Sequence, residues 1–113
     1  MTLIQKLDEV LKPMGFEFFP NVYTGNGIEY GIYDNITEGG DLFCDDAPEF
    51  CVTSFRVHIY VLDDRIKKKK QLKSLLRSAG FLLGDITEQH EKETGYTHYT
   101  FEVETFDPEG GEI

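Results

Sequence analysis

The sequence contains no tryptophan, only two cysteines and only four prolines among 113 residues. Without tryptophan, the aromatic load falls on nine Phe and six Tyr. These side chains suit pleated, half-buried surfaces and predict a strand-rich core. The cysteines, Cys44 and Cys51, are too few for a disulfide scaffold, and no histidine stands near them to complete a zinc site. Long apolar runs are also missing. None approaches the roughly 20 residues that span a bilayer. Basic residues are scarce, at 11 against 21 acidic ones, giving a formal charge of −10. Such a surface repels a phosphate backbone and an anionic membrane, so neither is expected as a partner. It favours solubility and steers association toward basic proteins. Neither an internal repeat nor a low-complexity segment is visible.

What is present suffices for one core and no more. The hydrophobic fraction is 40%, and a chain of this length fits a single domain. That domain is expected over residues 1–106, with 107–113 as a polar, glycine-rich tail that frays. The opening stretch MTLIQKLDEVLKPMGF carries Asp8 and Glu9 inside its apolar pattern, unlike a signal peptide. The chain therefore reads as intracellular, with both cysteines reduced.

Periodicity places the elements. Leu3, Ile4, Leu7 and Leu11 share one face of a helix over 2–12, with Thr2 as N-cap and Gly15 as a stop signal beyond Pro13. Residues 16–23 are aromatic and extended, and Pro20 bars them from a central strand. After a turn at Gly25-Asn26-Gly27, Ile28, Tyr30 and Ile32 alternate with Glu29, Gly31 and Tyr33 as a strand. Residues 36–51 are the least regular. They suggest a short strand at 41–44 and then an exposed acidic loop. The clearest strand is 52–62, with Phe55, Val57, Ile59 and Val61 on one face and Ser54, Arg56, His58, Tyr60 and Leu62 on the other. Its length predicts a place in mid-sheet. A second helix follows over 64–79, capped by Asp63 or Asp64. Its buried stripe is Leu72, Leu75, Leu76 and Ala79, with Gly80 as the C-terminal glycine. Lysines 67–70 and Lys73 crowd its exposed side. A hairpin of strands 81–91 and 96–106 ends the fold, with Tyr99, Phe101 and Val103 inward. The order α-β-β-(β)-β-α-β-β predicts an α+β fold. It would be a single antiparallel or mixed sheet of about four to six strands with both helices on one face.

No motif carries catalysis. The glycine pairs do not follow a strand-to-helix phosphate turn, and no nucleophile elbow is present. A triad from Ser54, His58 and an aspartate has no supporting context. His58 and His98 would face each other across paired strands and, with Glu102, offer metal ligands. Three histidines at no ligand spacing read more simply as surface residues of an open sheet face. Asp41, Asp45, Asp46 and Glu49 lack the spacing of a calcium loop. No metal or cofactor is expected. The candidate contact residues are Asp41, Asp45, Asp46 and Glu49, the outward Arg56 and Tyr60, and Lys67, Lys68, Lys69 and Lys70. An acidic loop and a lysine helix on one molecule can meet head to tail between copies and close into a ring.

Taken in order, these segments resemble the small tail-completion or tail-terminator proteins of siphophages and prophages of Gram-positive bacteria. The likeness rests on the helix ending near Pro13, on Glu29-Tyr30-Gly31-Ile32-Tyr33-Asp34-Asn35, and on Gly40-Asp41 ahead of Phe55-Arg56-Val57-His58-Ile59-Tyr60. It continues through Lys70-Gln71-Leu72-Lys73-Ser74-Leu75-Leu76, closed by Ala79-Gly80-Phe81, to Tyr99-Thr100-Phe101-Glu102-Val103-Glu104. It spans residues 2–105. Residues 42–51, with both cysteines and Pro48, depart from the pattern in being longer and more acidic. The resemblance implies a non-enzymatic virion protein, assembled in the bacterial cytoplasm, that caps or completes the tail tube or joins tail to head. Its partners would be copies of itself and tail-tube and connector proteins. The competing expectation is an acidic inhibitor or immunity-type protein that covers a basic site on a partner.

Overall fold

The computed structural model describes residues 3–22, 28–38 and 51–107, with Glu38, Cys51, Phe106 and Asp107 described by backbone alone. Helix α1 (Leu3–Leu11) buries Leu3, Leu7 and Leu11, three of the four residues of the apolar stripe, and Ile4 packs partly against the core. Pro13 does not break the chain direction at once. It sits in a 3-10 turn, Lys12–Met14, whose missing N–H costs nothing there, and Gly15 closes the turn at φ 86°.

Five strands form one mixed sheet. They are β1 (Phe18–Pro20), β2 (Tyr30–Glu38), β3 (Cys51–Val61), β4 (Leu82–His90) and β5 (Thr97–Asp107), in the order β1-β2-β3-β5-β4. The α+β architecture and the central place of β3 are as the sequence predicts. β1 pairs with β2 in parallel and the other pairs are antiparallel. Pro20 ends β1, which is an edge strand, where its lack of a donor is tolerated. The strand suggested at 41–44, the turn at 25–27, Thr2, Cys44 and residues 108–113 lie outside the described residues.

Helix α2 (Arg65–Ser78) and α1 lie on the same face of the sheet. Leu72 and Leu76 are fully buried against Val57, Ile59, Val61, Tyr99, Phe101 and Val103. Burial of each leucine contributes roughly 1.5–3 kcal/mol. The helix ends in a Schellman motif. The Phe81 N–H bonds to Leu76 O and the Gly80 N–H to Arg77 O, with Gly80 at φ 92°. Asp64 occupies the N-cap position but makes no side-chain capping bond, and its own φ is 49°. Asp63 turns to Lys68 instead.

Two bulges shape the far end of the sheet. Between Asp34 and Thr37 the pairing with β3 gains one residue on β2, and Asn35 adopts φ 53° there. Between Leu83 and Ile86 the pairing with β5 gains one on β4. A β-bulge inserts one unpaired residue and reverses the phase of the side chains beyond it. Ile36 thereby reaches the core, although Ile32 stands on the opposite face. Asn35, Thr37, Ser54, Arg56, Gly84, Glu102 and Glu104 line a trough between the two bulges.

Candidate functional site

Both helices cover one face of the sheet. On the other, register sets side chains in rows. Tyr30 pairs with Tyr60, and Tyr60 with His98. Their rings stack across three strands, Tyr30 on Tyr60 at 4.7 Å and Tyr60 on His98 at 4.2 Å between centroids. Tyr96 stands edge-on to both tyrosines, and its hydroxyl donates to the Ile28 carbonyl. Offset and edge-to-face aromatic pairs each contribute about 0.5–1.5 kcal/mol beyond area burial.

The next row holds a polar chain. Asp34 Oδ1 lies 2.9 Å from His58 Nε2, and His58 Nδ1 lies 2.8 Å from His98 Nε2. Thr100 Oγ1 is 3.2 Å from both of the facing nitrogens. An ionised carboxylate only accepts, so the His58 Nε2–H donates to Asp34. His58 Nδ1 is then the acceptor for His98 Nε2–H. This tautomer assignment follows from the network. At 2.8 Å only one of the two facing nitrogens carries a proton.

Burial, and then the neighbouring His58, push His98 below the ordinary imidazole range, while Glu91 and Asp34 oppose this more weakly. Tyr60 is raised by burial, then by Glu91 and Asp34. The sign for His98 follows from linkage. Its folded pKa lies below the unfolded value of about 6.5, so the unfolded chain binds the proton first as pH falls. Stability from this residue is complete above that value and declines from about pH 6.5 down to the folded pKa. Urea midpoints measured from pH 8 to 5 should fall through this window, and His98→Gln should remove that part of the slope.

The expected contact residues separate on the structure. Arg56 is on the open face, 3.8 Å from Glu102, with both side chains about half exposed at 47% and 50%. Tyr60 is the centre of the aromatic row. Lys67 and Lys70 are exposed. Lys68 is not part of a solvated face as the sequence suggested. It reaches Glu29 at 2.6 Å and Asp63 at 2.9 Å. Burial alone would lower its pKa, but its hydrogen bonds and charge contacts with these two carboxylates outweigh burial and raise it. Lys69 lies over the Tyr99 ring, 5.6 Å from its centroid. Asp41, Asp45, Asp46 and Glu49 lie outside the described residues.

The structure gives His58 other neighbours than the two combinations set aside in the sequence. The carboxylate beside His58 is Asp34, not Glu102, because Glu102 pairs with Arg56 in the next row. Ser54 stands four residues from His58 along β3, about 13 Å at the strand rise, and the hydroxyl at the pair is Thr100. Asp34, Thr100, Tyr30 and Tyr96 were absent from the sequence-based candidates. Outward alternation marks Thr100, but only the register of β5 on β3 brings it to His58, and only that of β2 on β3 brings Tyr30 to Tyr60. Among the described residues no group of three or more His, Cys, Asp or Glu is arranged to hold a metal ion, and no helix is long and apolar enough to cross a membrane.

The Tyr99 hydroxyl is buried on the helix side of the sheet, and among the described residues only Glu88 approaches it as an acceptor, short of a well-formed hydrogen bond. Burial, and then the nearby Glu88 carboxylate, raise its pKa to about 12. Glu88 itself pairs with Arg65 at 3.7 Å. No family model matches the chain, and no curated protein is significantly similar to it.

Proposed function

We propose that the protein is a non-enzymatic phage structural protein that completes or caps a tail tube, or joins tail to head, by associating with copies of itself. Tail-tube and head–tail connector proteins are its further partners. The observation that carries this reading is the sheet face opposite the helices, which no described element covers. It presents a stacked Tyr30-Tyr60-His98 row, with Arg56 on the same face four residues along β3 from Tyr60. Tyrosine and arginine are the residues that anchor protein interfaces. The element order that resembles tail-completion proteins supports the assignment to a phage tail.

The site geometry also favours binding over catalysis. Thr100 lies on β5, which is paired on both sides by β3 and β4. Its neighbouring backbone N–H groups are engaged in ladders, leaving none directed at an oxyanion beside that hydroxyl. The exposed lysines Lys67 and Lys70 lie on the helix side, away from Asp34, Glu102 and Glu104 on the open face. This segregation suits head-to-tail contact between copies. The net charge of −10 supports one second reading, an acidic inhibitor or immunity-type protein docked on a basic site.

Charge reversal separates the two. Lys67→Glu with Lys70→Glu should lower the mean mass in solution at a given concentration, since it removes the basic side of the contact. Under the inhibitor reading the mass stays that of the unmodified chain, and capture of a cationic partner weakens steeply with salt. An unchanged mass in the double variant would count against lysine-mediated self-association.

A further inference from the structure

We infer that His58 and His98 form a two-imidazole site for a late first-row divalent ion such as zinc, with Thr100 as an additional oxygen donor and Asp34 as the orienting carboxylate. The inference is independent of the phage-tail reading. It rests on three groups converging at one point of the open face. His58 Nδ1 and His98 Nε2 face each other at 2.8 Å, and Thr100 Oγ1 is 3.2 Å from each. They come from two adjacent strands whose pairing runs unbroken through these positions, so the backbone fixes the approach.

The distances require little rearrangement. Zinc binds imidazole nitrogen at about 2.0–2.1 Å, and a tetrahedral angle then sets two such nitrogens about 3.3 Å apart. The rings have to part by about 0.5 Å from their hydrogen-bonded contact, which small side-chain rotations supply. The proton balance also closes. The proton now on His98 Nε2 moves to its Nδ1, freeing the lone pair, and none is gained or lost overall. His58 needs no tautomer change, because its proton already lies on Nε2 toward Asp34.

Asp34 gives the site its metal-binding character. In metal centres a ligating histidine commonly donates its other ring N–H to a carboxylate, which fixes the ring and raises its basicity. His58 has that arrangement, with Asp34 Oδ1 2.9 Å from Nε2. The aspartate charge also offsets that of the cation. Two neutral imidazoles select zinc, nickel or copper over magnesium and calcium, which take oxygen ligands. With two nitrogens and one hydroxyl from the chain, the remaining coordination positions are open to water.

The test is a calorimetric titration of the full chain with zinc chloride in chelator-treated buffer at pH 7.5. Nitrogen chemical shifts of the histidine rings are followed in parallel. The unmodified chain should bind one ion saturably. His58→Gln and His98→Gln should each weaken it at least about tenfold, and Asp34→Asn about 10–100-fold. His90→Gln, which alters the third histidine, should leave it unchanged. In the spectra, His58 Nδ1 and His98 Nε2 should shift as ligands, a readout that needs no variant to fold. Equal zinc affinity in the unmodified chain and both His→Gln variants would place the ion on carboxylates or on Cys44 and Cys51 and overturn the assignment. So would ring nitrogens that do not move at saturating zinc, or the absence of binding up to millimolar zinc.

Discussion

Gly31→Ala should destabilise the protein by about 1–3 kcal/mol, the usual cost of forcing atoms into a filled site. Gly31 pairs with Phe18 across β1 and β2, and the Phe18 ring lies over the glycine on the helix side of the sheet. A methyl group built there would overlap three atoms of that ring. The ring has little freedom to withdraw, since it also stacks on Phe16 at 5.4 Å. The glycine is required for close approach, not for backbone conformation. The cost should therefore nearly vanish in a Phe18→Ala background, leaving a coupling of at least about 1 kcal/mol between the two sites. Urea denaturation of the four proteins measures it. An additive result would show that the glycine acts through something other than the ring.

Lys68→Ala should cost about 2 kcal/mol. Lys68 and Glu29 are only 17% and 22% exposed in their side chains, and Asp63 is 81% exposed. The pair with Glu29 thus carries most of the effect, and Asp63 adds little through solvent. Glu29 also accepts from the Leu62 N–H at 2.8 Å. Removing the ammonium leaves a half-buried carboxylate with one neutral donor, and hydrogen bonds to charged groups are worth about 1.5–3 kcal/mol. Lys67→Ala, on an exposed neighbour in the same helical turn, should change stability by less than about 0.5 kcal/mol. Equal thermal shifts for the two variants would contradict this division of the lysine run. The Lys68 contribution should also persist to high pH. Its raised folded pKa means the stability is lost only as pH rises above the unfolded value of about 10.4.

Much of this fold is legible in the sequence because most elements obey a single period. The stripe of Leu3, Leu7 and Leu11, the alternation from Phe55 to Val61, and Gly80 after the second helix each state their role locally. β2 is different. Ile28, Tyr30 and Ile32 alternate as if they were a buried row, yet Tyr33 is the buried residue, and Ile28 is 70% exposed. The bulge at Asn35 then reverses the phase. A period-2 pattern cannot report which face it serves once an extra residue enters the strand. The lysine run misleads for a related reason. Helical spacing sets Lys68 four residues before Leu72, on the side of the leucine stripe, but its partner Glu29 lies 39 residues away. The Asp34-His58-His98 chain likewise depends on pairings between three strands, and only His58 and His98 were recognisable as outward-facing residues.

The same uncovered face unites the functional account. Its tyrosine row gives a stiff surface at low entropic cost, and His98 at the end of that row meets His58 of the adjoining one. A stable protein interface usually buries about 1,200–2,000 Å² in total. The chain exposes 7143 Å² over its described residues, enough surface for contacts on two opposite sides, as a ring requires.

The central claim is self-association. Light scattering on the unmodified chain over a concentration series, with negative-stain imaging of the largest species, tests it most directly. The account predicts a mean mass that rises above 13.0 kDa with concentration and approaches a closed ring visible in the images. A constant mass of 13.0 kDa at every concentration, with no ring on the grid, would contradict it.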